Sequence, residues 1–466
     1  MEHREQYKRL IMFCASVLII AIETGIFAYI WFHYYAMEEV IGRMFWRRGN
    51  LVVIGQYTLM LFFFYRIYGG FKVGYLRNFD VLYSQILSVF CVNIITYLQL
   101  SLIGRWKFMT NLLPLLYMTG LDLVIVVLWV VFMRWIYAQI YPPRRMLLIY
   151  GEYSPKDLIR KISSRQDKYD ICETIHLSSG REAIYRKIDQ YAAVVIGDIP
   201  AAERNALLKY CFEHDTRCYC IPKLSDILLR NADDIHLFDT TLMLSRNRGL
   251  SVEQQFMKRL LDIIGSLIGL IIALPFMLII AILIKAYDGG PIFYKQKRLT
   301  KDGKVFEILK FRSMKVTSED EGARLARKKD DRITPVGKVL RNIHFDELPQ
   351  ILNILKGDMS LVGPRPERPE IAEQYQQEIP EFCYRLKVKA GLTGYAQVYG
   401  KYNTTPYDKL KLDLTYIETY SLIQDIKLLM LTFKILFQKE NTEGVESWQV
   451  TAASGQKEKQ EKQDGE

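Results

Sequence analysis

The sequence predicts a membrane protein whose helical N-terminus precedes two domains of mixed α/β structure. In chain order, we expect four transmembrane helices, a small doubly wound α/β domain, a re-entrant membrane helix hairpin and a cytoplasmic α+β domain. Three patterns indicate this fold class: four long apolar runs, an alternation of short apolar runs with helical patterns, and a fifth apolar run that a proline interrupts. A chain of 466 residues with 50% hydrophobic content is long enough for several such units.

The four N-terminal runs are each long and apolar enough to cross a hydrocarbon layer of roughly 30 Å as helices. Glu23 and Asp122 lie within them, and we expect these carboxylates to snorkel toward the interface, with a functional role as the alternative. The first run is a full span with no cleavage site after it, so we expect no cleaved signal peptide. The runs are residues 10–32, 51–68, 81–103 and 112–138.

Basic residues between the runs indicate the side of the membrane on which each end lies, because cytoplasmic loops are enriched in Lys and Arg. More of them fall on the side of the N-terminus, which predicts that both ends of the helical region are cytoplasmic. That side carries Arg4, Lys8, Arg9, Arg66, Lys72, Arg77, Arg134, Arg144 and Arg145, against Arg43, Arg47, Arg48, Arg105 and Lys107 on the other.

The net charge of +11 suits contact with anionic lipid and with phosphate-bearing ligands. Nucleic acid is compatible with the charge as well, but we expect no nucleic acid partner for a protein in the lipid bilayer. The seven cysteines are scattered, and we expect reduced thiols. A zinc site is an alternative for one cluster, although the alternating pattern of residues 217–221 favours a strand there; the cluster is Cys211, His214, Cys218 and Cys220.

Residues 145–245 alternate short apolar runs with helical patterns, which is the rhythm of βαβ units and predicts a small doubly wound domain. A dinucleotide-binding version would carry Gly-x-Gly-x-x-Gly after its first strand. The turn after the predicted first strand has one glycine, Gly151. We therefore expect a structural or regulatory role for this domain.

A fifth apolar run, residues 260–284, carries Pro275 near its centre. A helix broken at mid-membrane can turn back to the side that it entered, so we expect a re-entrant helical hairpin. The alternative is a fifth spanning helix with a proline kink. The predicted segments are 1–143 for the helical domain, 144–250 for the doubly wound domain, 251–286 for the hairpin, 287–440 for the α+β domain and 441–466 for a disordered polar tail.

Adjacent carboxylates, Asp346 and Glu347, open a predicted helix in the α+β domain. Phosphoryl transfer needs a nucleophile, a cation that neutralises the phosphate oxygens, and basic side chains that hold them. One carboxylate can attack phosphorus while its neighbour holds Mg²⁺, which prefers hard oxygen ligands. The alternative is a helix cap, because Asp three residues before the first-turn Pro349 is ordinary capping.

Other motifs nearby favour the chemical interpretation. Residues 356–367 contain a loop that one glycine and two prolines restrain and that presents Arg365, a suitable phosphate clamp. Residues 389–398 form a turn whose glycines permit close backbone approach, with a plain β-turn as the alternative. Basic and aromatic residues alternate in residues 290–298 and 310–314, which indicates either a phosphate-binding strand or a solvated strand face.

Together these motifs resemble those of the bacterial sugar transferases, or polyprenyl-phosphate glycosylphosphotransferases. The resemblance covers residues 256–437 in detail. It begins with Lys-Arg-x-x-Asp at Lys258–Asp262 and continues, in order, with Gly-Pro-x-Phe-Tyr-x-Gln, Lys-Phe-Arg-Ser-Met, Asp-Glu-Leu-Pro-Gln, Gly-Asp-Met-Ser-Leu-Val-Gly-Pro-Arg-Pro-Glu and Gly-Leu-Thr-Gly. The four spans and the doubly wound domain are similar to the large members that initiate capsule or exopolysaccharide synthesis.

The resemblance implies a multi-pass enzyme of the bacterial cytoplasmic membrane whose catalytic domain faces the cytoplasm. It implies that Asp346 attacks the β-phosphate of a UDP-sugar, expels UMP and forms a phospho-sugar aspartyl ester, from which polyprenyl (undecaprenyl) phosphate takes the sugar phosphate. Glu347 is implied as the ligand of an Mg²⁺ cofactor, and Arg341 as a phosphate-binding residue. Further candidate contacts to the substrate are Lys310, Arg312 and Arg365.

The family pattern has departures here, because His344 and Phe345 stand where Ser and Leu are usual and Leu299-Thr300 replaces the common Val-Gly. These changes leave the carboxylate pair intact but can affect sugar choice, and glucose, galactose and N-acetylated sugars all stay open. A homo-oligomer is compatible with the sequence. Two other functions are alternatives: a non-catalytic membrane scaffold or regulator of polysaccharide assembly, and a membrane nucleotide-sugar dehydratase, which would need the missing glycines near Gly151.

Overall fold

The computed structural model of the chain divides into two compact units, Met1–Ile221 and Pro222–Glu466. The predicted disordered tail lies outside the described residues. The finer division into five segments stays a prediction. The structure describes residues 7–36, 47–104, 112–245, 249–314, 332–400 and 404–436.

The first unit begins with helices that occupy the predicted apolar runs, and each is long and apolar enough to cross a membrane. The prediction of a helical N-terminal region is therefore confirmed. The helices are α1 (Lys8–Ile30), which a π-helical turn extends over Trp31–Tyr35, α2 (Arg47–Tyr68), α3 (Asn78–Ile103) and α4 (Leu113–Ile140).

Polar side chains of these helices face one another inside the bundle. Tyr65 OH donates a hydrogen bond to Glu23 Oε1 at 2.6 Å, and Tyr57 OH donates to Asn93 Oδ1 at 3.2 Å. Glu23 and Asp122 are fully buried. The prediction that these two carboxylates snorkel to the interface was wrong, because the helices turn them inward, where other polar groups lie.

The rest of the first unit is a doubly wound α/β domain with a four-stranded parallel sheet, as predicted. The strand order is β2-β1-β3-β4. The two central strands, β1 and β3, are the most apolar and the most buried, since helices cover both faces of the sheet. The elements are β1 (Arg144–Tyr150), α5 (Lys156–Ser163), β2 (Tyr169–His176), α6 (Arg181–Ile188), β3 (Ala193–Ile196), α7 (Ala201–Glu213) and β4 (Arg217–Cys220).

The second unit opens with a short helix, an antiparallel strand pair and one long helix. These are α8 (Leu224–Leu228), β5 (Asp233–Leu237), β6 (Thr240–Leu244) and α9 (Val252–Asp288). The Ser251 side chain caps α9 by accepting a hydrogen bond from the Gln254 amide, and Gly289 ends it in the left-handed conformation, with φ of 69°.

Helix α9 differs from the expected hairpin. Its 37 residues form one continuous helix, about 55 Å long, with Pro275 inside it. The proline removes one backbone donor, and the helix nevertheless continues to Asp288. One stripe of α9 is buried along its whole length, at Lys258, Asp262, Ser266, Ala273, Met277, Ile280 and Ile284.

The remaining elements pack on this stripe of α9 and around a second core formed by the C-terminal helices. Strands β7 and β8 form an antiparallel hairpin, and β9 pairs with β10 in parallel. The elements are β7 (Phe293–Leu299), β8 (Val305–Phe311), α10 (Pro335–Asn342), α11 (Gln350–Lys356), β9 (Ser360–Val362), α12 (Pro369–Glu378), β10 (Gly391–Thr393), α13 (Tyr395–Tyr399), α14 (Pro406–Glu418) and α15 (Leu422–Leu436).

Candidate active site

The carboxylate pair lies on a short 3₁₀ turn, Phe345–Glu347, between α10 and α11. His344 begins the turn in the left-handed conformation, with φ of 57°, which is uncommon for a residue with a side chain. The cap of α11 is Pro349, and no side chain caps that helix. The alternative in which Asp346 serves as a helix cap was therefore wrong, because the chain makes an extra turn before α11 begins.

Glu347 accepts hydrogen bonds from two basic side chains. Lys310 Nζ of β8 lies 2.6 Å from Glu347 Oε1, and Arg365 Nη2 lies 2.9 Å from the same oxygen. Burial alone would raise the pKa of Glu347, but the charges of Arg365 and Lys310 outweigh burial and hold its pKa far below the ordinary value. Glu347 is thus a carboxylate at any physiological pH.

Asp346 has a different environment. It is 9% exposed, and no residue in the described part of the chain donates a hydrogen bond to its carboxylate. Burial raises the pKa of Asp346; the charge of Glu347 raises it further, while Lys310 and Arg341 counteract both. An unbonded carboxylate beside basic groups is chemically suited to attack an electrophile that carries negative oxygens.

The structure brings Lys310, Arg341 and Arg365 to the carboxylate pair but not Arg312. Arg341 acts electrostatically on Asp346, and its Nη1 atom is buried without a hydrogen-bond partner among the described residues. Arg312 is buried and forms an ion pair with Asp288 at the end of α9. This ion pair ties the end of β8 to the end of α9, and the Nη1 atom of Arg312, like that of Arg341, is buried without a hydrogen-bond partner in the described segments.

The loop that presents Arg365 leaves β9, which pairs with β10. A Cβ atom on Gly363 would overlap the Lys389 carbonyl, and one on Gly391 would overlap the Gly363 amide. The expectation that the glycines of residues 389–398 permit close backbone approach is therefore confirmed at Gly391. The close contact of Gly363 with Gly391 lies at the end of the pairing between β9 and β10, and the loop with Arg365 begins directly after it.

Two buried polar contacts fasten α9 near its start, and each joins residues that are far apart in the chain. Lys258 Nζ lies 2.6 Å from Asp425 Oδ2, and both groups are buried. Asp262 Oδ1 accepts hydrogen bonds from Ser360 Oγ at 2.9 Å and from the Leu361 amide at 2.8 Å, which ties α9 to β9. The resemblance marks Lys258 and Asp262, but Asp425 is 167 residues beyond Lys258 and no local pattern indicates the pairing.

The residues of the pair fit Mg²⁺ in chemical character. Mg²⁺ in phosphoryl-transfer sites is commonly held by one or two carboxylates together with substrate phosphates, and it keeps several waters. Glu347 and Asp346 supply such oxygens, and no cluster of three or more acidic, His or Cys ligands occurs in the described part of the chain. A site in which Mg²⁺ is bound by a carboxylate of the pair, by the phosphates of a substrate and by waters matches these donors.

Comparisons with known proteins agree with the site. A bacterial sugar transferase family model matches residues 253–439. The UDP-N-acetylgalactosamine-undecaprenyl-phosphate N-acetylgalactosaminephosphotransferase of Aeromonas hydrophila is 34% identical over 311 residues, which are 66% of this chain and 70% of that protein.

Two relatives named UDP-glucose:undecaprenyl-phosphate glucose-1-phosphate transferase are also similar. The protein of Caulobacter vibrioides is 38% identical over 189 residues, which are 40% of this chain and 71% of the relative. The protein of Escherichia coli is 40% identical over 188 residues, which are 39% of this chain and 40% of the relative. The matched family region contains the carboxylate pair and every basic residue around it, and the chain belongs to the bacterial sugar transferase family.

Proposed function

We propose that this protein transfers a sugar 1-phosphate from a UDP-sugar to undecaprenyl phosphate and releases UMP. The observation that carries the proposal is the Asp346 carboxylate, which accepts no hydrogen bond from the residues that the structure describes and lies next to a permanently charged Glu347 and among Lys310, Arg341 and Arg365. The names of the relatives, all acting on undecaprenyl phosphate, support it. Such a transfer begins the assembly of a glycan on its lipid carrier.

In the first step, an Asp346 carboxylate oxygen attacks the β-phosphorus of the UDP-sugar. A bond from oxygen to phosphorus forms, the bond between that phosphorus and the bridging oxygen breaks, and UMP leaves with the electron pair. In the second step, a phosphate oxygen of undecaprenyl phosphate attacks the same phosphorus and the Asp346 carboxylate is regenerated. The product is a lipid diphosphate sugar, and atoms and charge balance over the two steps.

The basic residues have separate tasks in this proposal. Arg365 and Lys310 hold the phosphate oxygens, so each exchanges its hydrogen bond with Glu347 for one with substrate. Arg341, whose Nη1 atom is buried without a partner among the described residues, binds an oxygen of the phosphate under attack. Glu347 would hold Mg²⁺, which supplies charge neutralisation for the phosphates when bound.

We further propose that α1 to α4 span the bacterial cytoplasmic membrane and that α9 enters it without crossing. Helix α9 contacts its own unit at both ends, through Lys258 to Asp425 and through Asp288 to Arg312. Its opposite face exposes large apolar side chains over its whole length, including Ile271, Ile272 and Ile282. A helix with one face on a polar unit and the other in lipid keeps both ends on the cytoplasmic side.

The test is an assay of UMP release by the full chain in detergent with Mg²⁺ and undecaprenyl phosphate. The first donors are UDP-N-acetylgalactosamine and UDP-glucose, because the relatives' names contain these sugars. We expect UMP from the wild type and none from Asp346→Asn. Asp302→Asn, an exposed Asp on the turn before β8, is the matched control and should keep full activity.

Each outcome of this assay is decisive. UMP from both the wild type and Asp346→Asn would overturn the assignment of Asp346 as nucleophile. If the wild type releases no UMP from any UDP-sugar, the proposed function is wrong and a scaffold takes its place. Full turnover in excess chelator would overturn the role of Mg²⁺.

A further inference from the structure

The loop from Pro364 to Glu367, which we call the clamp loop, has an unusual hydrogen-bond pattern. Each of its four consecutive carbonyl oxygens accepts a hydrogen bond from a different residue outside the loop. The donors to residues 364, 365, 366 and 367 are, in order, Gly391 N at 2.9 Å, Arg385 Nη2 at 3.0 Å, Arg298 Nη1 at 3.0 Å and Leu299 N at 3.0 Å. Hydrogen bonds from β10, from β7 and from the 3₁₀ segment Pro380–Lys387 thus hold the backbone on both sides of Arg365.

The two prolines explain why these outside donors are needed. Pro364 and Pro366 have no N–H groups, so the loop cannot form the internal backbone bonds of an ordinary turn. A buried carbonyl without a donor destabilises the folded chain. Guanidinium groups from distant parts of the chain therefore satisfy two carbonyls that backbone amides do not reach.

Arg385 is itself rigidly placed. It is 2% exposed, and its Nη2 atom lies 2.7 Å from Asp413 Oδ2 of α14. Its Nη1 atom lies 3.5 Å from Glu367 Oε1, and its guanidinium stacks 4.9 Å from the centre of the Phe382 ring. The pKa of Glu367 falls to about 2, because the charges of Lys409 and Arg385 outweigh the effect of burial. One buried guanidinium thus joins the clamp loop to α14.

Arg298 is held in a similar way from β7. Its Nε and Nη2 atoms donate to Gln296 Oε1 at 3.1 and 2.6 Å, and its Nη1 atom is left to bind the clamp loop. Both arginines therefore have fixed orientations before substrate binds. Lysine cannot reproduce either arrangement, because one ammonium lacks the planar fork that bonds two partners at set angles.

We infer that Arg298 and Arg385 are positioning residues that aim Arg365 at the phosphates of the nucleotide sugar; the inference rests on the proposed function. Neither side chain contacts Asp346 or Glu347 among the described residues. They act through the main chain of the clamp loop, which carries Arg365 to within 2.9 Å of Glu347 Oε1. A displacement of about 1 Å at such a site can lower the rate about 100-fold.

The test is a double-mutant cycle on kcat/KM for UMP release by the full chain. Arg385→Lys and Arg298→Lys are each expected to lower kcat/KM about 10- to 100-fold. Arg365→Met removes the group that they position. Adding Arg385→Lys to Arg365→Met should therefore cause almost no further loss, whereas independent effects would multiply.

Arg259→Lys is the matched control. Arg259 also donates to two main-chain carbonyls, those of Ile354 at 2.6 Å and Leu355 at 2.7 Å, but at the end of α11 and away from the clamp loop. Any decrease in kcat/KM that Arg259→Lys causes should multiply with the decrease that Arg365→Met causes. The same double-mutant cycle can be measured on the Kd of UDP by calorimetry. This measurement tests the positioning of Arg365 without requiring turnover.

The outcomes separate the inference from the proposed function. Multiplicative losses for both Arg385→Lys and Arg298→Lys with Arg365→Met would overturn the inference even if the wild type releases UMP. No UMP from the wild type would overturn the proposed function, and the UDP-binding cycle would then decide the inference alone. If Arg385→Lys does not fold, Arg298→Lys, which is less buried, carries the test by itself.

Discussion

Asp346 and Glu347 are neighbours in the chain, yet their surroundings shift their pKa values in opposite directions. Glu347 has two hydrogen-bonded cations, so its pKa is held far below the ordinary value despite burial. Asp346 is buried, accepts no such bond from the part of the chain that the structure describes and lies beside the charge of Glu347, so its pKa is raised. Glu347 is therefore a permanent anion that is suited to bind a cation, whereas Asp346 is a carboxylate that can take up a proton and lose its charge.

This difference predicts how activity depends on pH. In the proposed reaction Asp346 attacks as the carboxylate, so activity is expected above the pKa of Asp346 and is expected to be lost as the pH falls through it. Burial raises that pKa above the ordinary 3.8, and Lys310 opposes the rise. Lys310→Met should therefore move the acid limb of its residual activity to higher pH.

The measurement is single-turnover UMP release from about pH 4 to pH 8. Lys338→Met, an exposed lysine on α10, is the control and should leave the acid limb where it is in the wild type. An acid limb that stays in place in Lys310→Met would show that another group controls this ionisation.

At the scale of elements, α9 is held to its unit by polar contacts that flank an apolar stripe. Near its start, Lys258 Nζ donates to Asp425 Oδ2 at 2.6 Å and to Tyr416 OH at 3.0 Å. Further along, Met277 and Ile280 pack in the same core as Ile351 of α11, the helix that follows the 3₁₀ turn of the carboxylate pair. The position of the turn therefore depends on how α9 packs.

Lys258→Met should destabilise the second unit by about 3 to 5 kcal/mol, because it leaves the buried Asp425 carboxylate without its cation. The double variant Lys258→Met with Asp425→Leu should regain much of the stability, since no unpaired charge is then buried. Thermal unfolding in detergent measures both. The control is Lys295→Met, which breaks an exposed ion pair with Glu307 at 3.3 Å and should change Tm little. If Lys258→Met and Lys295→Met lower Tm equally, the buried pair of Lys258 and Asp425 does not have the proposed role in stability.

Gly391→Ala should prevent the pairing of β9 with β10. The new Cβ would overlap Gly363 N and Thr393 O, which are main-chain atoms that cannot move aside alone. We expect a lower Tm and loss of UMP release, because Gly391 N also holds the Pro364 carbonyl of the clamp loop. Gly269→Ala is the control: its Cβ would meet Ile351 Cδ1 at an ordinary 3.7 Å, so normal Tm and activity are expected there.

At the scale of the whole molecule, the chain joins a helical and doubly wound unit to a unit that carries the proposed chemistry. The relative from Caulobacter vibrioides aligns over 189 residues that make up 71% of its length, so it is a much shorter protein than this one. The membrane attachment by the helices of the first unit and a structural or regulatory role of its doubly wound domain stay predictions.

The proposed placement of α9 predicts that both of its ends lie in the cytoplasm. Single cysteines at Glu253→Cys and Lys304→Cys, in a background without the seven native cysteines, should react with a membrane-impermeant maleimide in inside-out vesicles. Neither should react in intact spheroplasts. Leu112→Cys, at the start of α4 and on the predicted outer side, should show the reverse pattern. Labelling of Glu253→Cys and Lys304→Cys from opposite sides would establish a true crossing.

Local sequence patterns predict much of the structure of this molecule. The apolar runs, the βαβ rhythm and the motifs around Asp346 and Glu347 are all contiguous in the chain, so hydropathy and spacing predict them. Arg365 was a candidate because its loop has two prolines in a short motif. Arg312 was a candidate on the same kind of evidence, but its partner is Asp288, since the end of α9 lies beside β8.

The sequence by itself determined the helical N-terminal region, the α/β character of the rest and the family, and it led to the proposal of Asp346 and Glu347 as the reactive pair, because each depends on residues that are close together in the chain. Only the tertiary structure decided that α9 is one continuous helix, that Glu23 and Asp122 face inward, and which arginines hold the clamp loop. Arg385 approaches Arg365 from 20 residues away, and Lys258 meets Asp425 from 167 residues away. Such contacts depend on the packing of whole elements, which no local pattern contains.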